Sequence, residues 1–339
     1  MLTKTEINKI DSHQMYQIYD SWHDLAKQSF ENKLKKFEKK DIEHVVFAGM
    51  GGSGTVGDII SSVLSKTELH TTIVKGYRLP RDIDDNTLIV ATSIMGNTDE
   101  TLSIAKSSIN SPAKFISFSS GGLLEKFSTN NNQEHYHIEM NHSPRASLID
   151  YLYSILNVLE ELLPIKKYEM QESIDKLYNI QKIINTDNLT DTNPSLNLAY
   201  WIKEIPLVYY PWGLHSAAIR FKNSLQENSK NHIIIEDIIE ACHNGIVAWE
   251  KNSNIQPILL QGYEDNPKTI ERWKLIKEMF IEKKIEYHEI FSENGNILSK
   301  LVCLIYLLDF SSIYHAVINK IDPTPVIPID EIKKKLSFS

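Results

Sequence analysis

The stretch Val45–Asp58, VVFAGMGGSGTVGD, constrains this chain more than any other. It opens apolar and β-branched, as a buried strand does. Glycine then recurs at Gly49, Gly51, Gly52 and Gly54, with Ser53 among them. An apolar helical pattern (Val56, Ile59, Ile60, Val63, Leu64) takes over around and beyond Gly57. Strand, glycine turn and helix start in that order leave backbone N–H groups free at a positive helix end, which is an anion site and most often a phosphate site. The same letters satisfy G-x-G-x-x-G, so a dinucleotide is the competing ligand, and an ordinary tight turn is the third reading. A dinucleotide site wants an acid at the end of the next strand. Lys75-Gly76-Tyr77 falls there instead, and its lysine would suit a 2′-phosphate.

The rest of the chain alternates in the same way. Thr71–Val74, Thr87–Thr92, Lys114–Phe118 and Tyr136–Glu139 read as strands in the first half. Ile205–Tyr210, Ile258–Leu260 and Ile285–Phe291 read as strands in the second. Helices at Lys268–Lys283 and Ile297–Ile318, and an apolar one from the Arg145 loop through Leu162, lie between them. The region before Lys40 reads as a leading helix pair. The Lys33–Lys40 basic run reads as the end of a solvated helix. This order predicts an α/β protein of doubly wound, mostly parallel sheets flanked by helices. The inter-domain passage is expected in the polar, Asn/Thr-rich part of 171–193. The resulting division is 1–152 with the leading helices, a helical linker 153–193, and 194–339 with a closing helix.

Composition excludes several classes. A net charge of −8 without a clustered basic face argues against nucleic acid. Two cysteines cannot build a disulfide framework, and the charged N-terminus has no apolar signal core, so a cytoplasmic location is expected. No apolar run reads as long enough to span a membrane.

Ser93–Thr101, SIMGNTDET, is a second strand-to-helix turn. It carries hydroxyls at Ser93 and Thr98, with Asp99 and Glu100 in the first helical turn. If its strand neighbours the first, two such loops surround one compact phosphate. Other residues are ambiguous singly. Glu227 is a helix glutamate, by default a solvated one. His243 is by default a partly buried histidine, and its neighbour Cys242 points to another face. Arg145 either clamps an anion or ties a loop. His135 and His137 share one face of a strand but lack a third metal ligand, so no metal is expected.

Taken together, the motifs are more specific. GMGGSGTVGD, YRLP, S-x-x-GNTDET, SPRASL, the RFK…ENSK helix, HN after the IIIED stretch, and DPTPV…I…IKKKL appear in order over most of the chain. In this the chain resembles the bifunctional phosphoglucose/phosphomannose isomerases, built from two sugar-isomerase (SIS) domains. The resemblance implies an aldose–ketose isomerase acting on glucose 6-phosphate and/or mannose 6-phosphate through an enediolate, without cofactor or metal. It implies that Gly51, Gly52, Ser53, Ser93 and Thr98 hold the phosphate, and that Glu227, His243 and Arg145 are catalytic. Lys333 would reach toward the sugar, and Thr324 would line the pocket. A homodimer with the site at its interface follows, with His243 acting on the neighbouring subunit's substrate. Met95 departs from the pattern, standing where the family usually has a second serine. The missing hydroxyl bond to a charged oxygen is worth about 1.5–3 kcal/mol. A non-catalytic sugar-phosphate-binding protein is therefore the alternative, followed by an NADP-dependent oxidoreductase using GMGGSG.

Overall fold

The computed structural model describes residues 2–38 and 41–337. Three short helices lead the chain, one more than expected: α1 (Lys4–Ile10), α2 (Met15–Asp20) and α3 (Trp22–Glu31). Helix α3 stops at Glu31. The described part of the basic run is therefore an irregular strap rather than a helix end, and Lys39 and Lys40 lie outside the described residues. The strap is tied down by Phe37 N–H donating to Val158 O and by a Lys36–Glu160 ion pair at 2.8 Å.

The first αβ series follows. It comprises β1 (His44–Ala48), α4 (Gly51–Leu64), β2 (His70–Val74), β3 (Thr87–Thr92), α5 (Asp99–Ser108), β4 (Lys114–Ser119), α6 (Gly122–Asn130) and β5 (Glu134–His137). The helical segment α7 (Leu148–Val158), α8 (Lys167–Ile184) and α9 (Pro194–Trp201) leads to the second series. There the order is β6 (Ile205–Tyr210), α10 (His215–Ser229), β7 (Ile234–Asp237), α11 (Ile238–Ala241), β8 (Ile255–Gln261), α12 (Pro267–Glu282), β9 (His288–Phe291), α13 (Ile297–Ile318) and α14 (Ile327–Ser337). Helix α7 runs unbroken through residues 152 and 153.

Both sheets are wholly parallel, in the orders β2-β1-β3-β4-β5 and β7-β6-β8-β9. Several elements differ from the sequence reading, among them β9, which begins three residues later, and α7, which ends at Val158. Helix α4 begins at Gly51, six residues before Gly57, because its glycines are there for packing. A Cβ on Gly57 would lie 2.7 Å from Phe47 Cβ, and one on Gly54 would lie 2.7 Å from Gly49 O. Strand β5 sits two residues earlier than Tyr136–Glu139. Strand β7, a four-residue edge, lies in the IIIED stretch, which is apolar and carries no strand assignment in the sequence reading. Such a run has no period to separate strand from helix.

Helix α13 corrects the view that no apolar run has membrane-spanning length. Its 22 residues are long and apolar enough by composition, and they are almost wholly buried inside the protein. It packs against α8, α9 and α10, while α10 also packs against α4 of the first series. One continuous apolar core therefore joins residues from both sheets. Helix α10 is thereby fixed against the loops at the top of the first sheet, which is where the site forms.

Candidate functional site

In the first sheet the chain order reverses between β1 and β3. Ligands of doubly wound folds sit at the carboxyl ends of strands at such a switch point. The register pairs Ala48 with Ala91, so the glycine–serine loop and the Ser93 loop leave the sheet side by side. They are bonded to each other: Ile94 N–H donates to Ser53 Oγ at 3.3 Å. Ser93 Oγ donates to Thr98 Oγ1 at 2.9 Å, and Thr98 is the N-cap of α5. Gly51, Gly52 and Ser53 form the first turn of α4. Two helix N-termini and three hydroxyls thus converge, an arrangement suited to a phosphate dianion.

Gly96 closes the second loop. Its φ is +72°, and a Cβ there would stand 1.8 Å from Gly121 O, so only glycine fits. Met95, beside it, is 47% exposed and turns no hydroxyl toward the loop. Lys75, the residue that kept a 2′-phosphate ligand open, is committed to Asp58 of α4 at 2.5 Å.

Arg145 is 5% exposed and enters from the loop before α7. Its Nε donates to Asn228 Oδ1 (2.7 Å), and its Nη2 donates to Pro323 O (2.7 Å) and Thr324 O (2.8 Å). Only Nη1 faces a carboxylate, Glu227 Oε2, at 3.5 Å. That is longer than a tight charge-assisted bond of about 2.7–2.9 Å, so an incoming anionic oxygen can compete for the guanidinium. Burial works to lower the Arg145 pKa, and Glu227 opposes it. Glu227 is a half-buried partner of this arginine rather than a freely solvated helix residue. Thr324 Oγ1 is buried with no hydrogen-bond partner among the described residues.

A second layer holds Arg145 in place, and the sequence reading missed it. Arg220, 1% exposed, donates from Nη2 to Arg145 O (2.7 Å) and from Nε and Nη2 to Asp309, which is fully buried. Burial disfavours the Arg220 charge, but Asp309, together with Tyr19 and Glu227, more than offsets this and raises its pKa. Ser224 and Tyr19 also donate to Asp309. Asn228 is oriented by donating to Ser312 Oγ at 2.8 Å. The signal was present in the sequence: Arg220, Ser224 and Asn228 recur every four residues along one face of α10.

The remaining candidates make no hydrogen bond or ion pair with this cluster among the described residues. His243 is exposed in the turn after α11, not partly buried, and its ring has no hydrogen bond or ion pair among the described residues. Lys333 is exposed on α14.

Two parallel αβ sheets, with paired hydroxyl loops at the first switch point, define the phosphosugar-binding SIS class. Residues 191–336 match the family model described as the bacterial phospho-glucose isomerase C-terminal SIS domain. The fold is shared with the C-terminal domain of glucosamine-fructose-6-phosphate aminotransferase from Francisella tularensis (TM-score 0.66, 15% identity, 90% of this chain and 96% of that one). It is shared also with a glucose-6-phosphate isomerase like protein from Thermus thermophilus (TM-score 0.62, 13% identity, 95% of each chain). Among curated proteins, the bifunctional phosphoglucose/phosphomannose isomerase of Caldicellulosiruptor bescii is 30% identical over 308 residues, covering 88% of this chain and 91% of that protein. The protein of the same name from Aquifex aeolicus is 29% identical, covering 93% and 94%. The chain belongs to the bifunctional phosphoglucose/phosphomannose isomerase family.

Proposed function

We propose that the chain interconverts glucose 6-phosphate and mannose 6-phosphate with fructose 6-phosphate through a shared enediolate. The observation that carries the reading is the Arg145–Glu227 pair, 3.5 Å apart and beside the first turn of α4. A Cβ on Gly52 would lie 3.5 Å from Arg145 Cα, which supports reading the acid–base pair and the glycine–serine loop as one site.

In this reading Gly51, Gly52, Ser53, Ser93 and Thr98 bind the phosphate. His243, from the neighbouring subunit, passes a proton to the ring oxygen as the sugar opens. Glu227 takes the proton from C2 and returns it at C1, and Arg145 Nη1 stabilises the enediolate charge. The adjacent carbonyl delocalises the carbanion, so the step needs no metal or organic cofactor. Lys333 reaches the sugar hydroxyls, and the unpartnered Thr324 hydroxyl lines the space in which the bond between C2 and C3 rotates. That rotation lets both C2 epimers share one intermediate.

A homodimer fits the exposure of Ile327 (63%), Ile329 (39%) and Ile332 (59%) on α14, apolar side chains that a second subunit would cover. Residues 1–152 and 194–339 are the two SIS domains of this reading, joined by 153–193. The free thiols Cys242 and Cys303 suit a reducing cytoplasm.

The test is a coupled assay with each hexose 6-phosphate, run on the parent and on Glu227→Gln. Turnover of both sugars that the substitution abolishes supports the isomerase and its base. If neither sugar reacts but both raise the unfolding temperature, the non-catalytic binding protein is the correct reading.

A further inference from the structure

The edge strand β5 and helix α6 bring together three side chains away from the hydroxyl loops. His135 and His137 lie two apart on one face of β5. Glu125, the third ligand that sequence spacing could not supply, projects from α6 toward them. Glu125 Oε1 is 3.4 Å from His137 Nδ1 and 3.9 Å from His135 Nε2, and the three groups each offer a ligand atom within 4.8 Å of the others.

The surrounding hydrogen bonds decide which nitrogen of His135 carries the lone pair. Ser128 Oγ donates to Leu124 O at 2.9 Å, so Ser117 must be the donor in its 2.7 Å contact with Ser128. The Ser117 oxygen then accepts from His135 Nδ1–H at 2.8 Å. Ser119 Oγ already donates to Gly121 O at 2.8 Å, leaving no proton for His135 Nε2, which is 3.4 Å away. His135 Nε2 therefore presents a lone pair toward Glu125. On His137, Nε2 is 3.3 Å from Glu139 Oε1, while Nδ1 faces Glu125. A neutral ring can donate to only one of these carboxylates. With Nε2–H given to Glu139, two imidazole lone pairs and a carboxylate oxygen lie within 4.8 Å of one another.

We propose that Glu125, His135 and His137 form a binding site for a zinc-class divalent cation. Two imidazoles and one carboxylate are a zinc donor set. Each imidazole has an outer hydrogen-bond acceptor on its other nitrogen, Ser117 for His135 and Glu139 for His137, as metal-bound histidines do. With bonds of about 2.0–2.2 Å, tetrahedral ligands stand about 3.3–3.6 Å apart; the two spacings to Glu125, 3.4 and 3.9 Å, are near this, and the two imidazoles, within 4.8 Å, close onto the ion. Water completes the shell. The cation ties α6 to β5. The first turn of α6 is in turn bonded to the hydroxyl loop, through Leu124 N–H to Gly96 O at 2.9 Å and Leu123 N–H to Asn97 Oδ1 at 3.0 Å. It is a brace beside the phosphate loop and takes no part in proton transfer.

Untagged, chelator-stripped protein titrated calorimetrically with Zn²⁺ is expected to bind one equivalent, with Co²⁺ giving a matching visible absorption band. His137→Asn, Glu125→Gln and the double variant His135→Asn/His137→Asn should each lose that stoichiometric phase. Glu139→Gln should weaken it by about 10-fold or more. Glu125 and His137 are partly exposed, so both single variants are expected to fold, which circular dichroism checks. Absence of stoichiometric zinc in the parent overturns the site, as does parental affinity in folded His137→Asn and Glu125→Gln.

Discussion

Asp309→Leu tests the layer that positions Arg145. Asp309 is fully buried and accepts from Arg220 Nε and Nη2, from Ser224 Oγ and from Tyr19 OH. Removing the carboxylate leaves the Arg220 guanidinium, itself 1% exposed, as an uncompensated buried cation. Breaking one partner of such a pair costs about 3–5 kcal/mol, a large share of the roughly 5–15 kcal/mol by which a protein is stable. Urea denaturation followed by tryptophan fluorescence reads this directly. Trp22 stacks on Tyr19 at 5.1 Å between ring centroids and so reports from beside the network. The double variant Arg220→Met/Asp309→Leu removes both charges. Its loss should fall short of the sum of the two single losses by at least about 2 kcal/mol. Some loss remains, because Arg145 O, Ser224 and Tyr19 no longer have their partners. Arg220 acts through the Arg145 backbone carbonyl, so the folded double variant should lose kcat more than substrate affinity. A single Asp309→Leu loss below about 1 kcal/mol, or additivity within about 0.5 kcal/mol, refutes the argument.

Three further outcomes are expected. Met95→Ser returns a hydroxyl to the phosphate loop and should lower KM for hexose 6-phosphates about 10-fold or more, from the roughly 1.5–3 kcal/mol of a charged hydrogen bond; an unchanged KM means the loop binds without it. Gly96→Ala places a methyl against Gly121 O and forces a left-handed φ, so phosphate affinity should collapse in steady-state assays, and parental KM would show the loop is not rigid. Asp150 is buried with Oδ2 unpartnered among the described residues, and burial raises its pKa to about 6. The folded state therefore holds a proton that the unfolded chain releases near pH 4. This group's contribution falls as pH rises from about 4 to 6 and stays low above that, by roughly 3 kcal/mol. Asp150→Asn should gain stability relative to the parent between pH 4 and 7 in urea midpoints, and a flat difference refutes the shift.

The local alternation of strand and helix was legible because burial imposes periods on the sequence. Strand β6 and helix α13 were bounded from pattern alone, and both phosphate-type loops were found from glycine and hydroxyl content. Pattern failed where a residue serves a neighbour rather than its own element. The glycines of α4 break helix propensity in order to meet Phe47 and Gly49. The four-residue edge strand β7 has too few positions to show a period.

What the sequence by itself determined is the class of fold, the order of its elements and the chemistry of each loop, since these follow from local backbone preference and side-chain burial. It did not determine which side chains meet. Arg145 and Asn228 are 83 positions apart, and Arg220 and Asp309 are 89 apart. Glu227 alone reads as a solvated helix residue, and Arg145 alone reads equally as an anion clamp or a loop tie. Only the packing of α10 between α4 and α13 sets Glu227 against Arg145 beside the first turn of α4. Contacts between distant segments are set by how helices and sheets stack, and no local period in the chain records that.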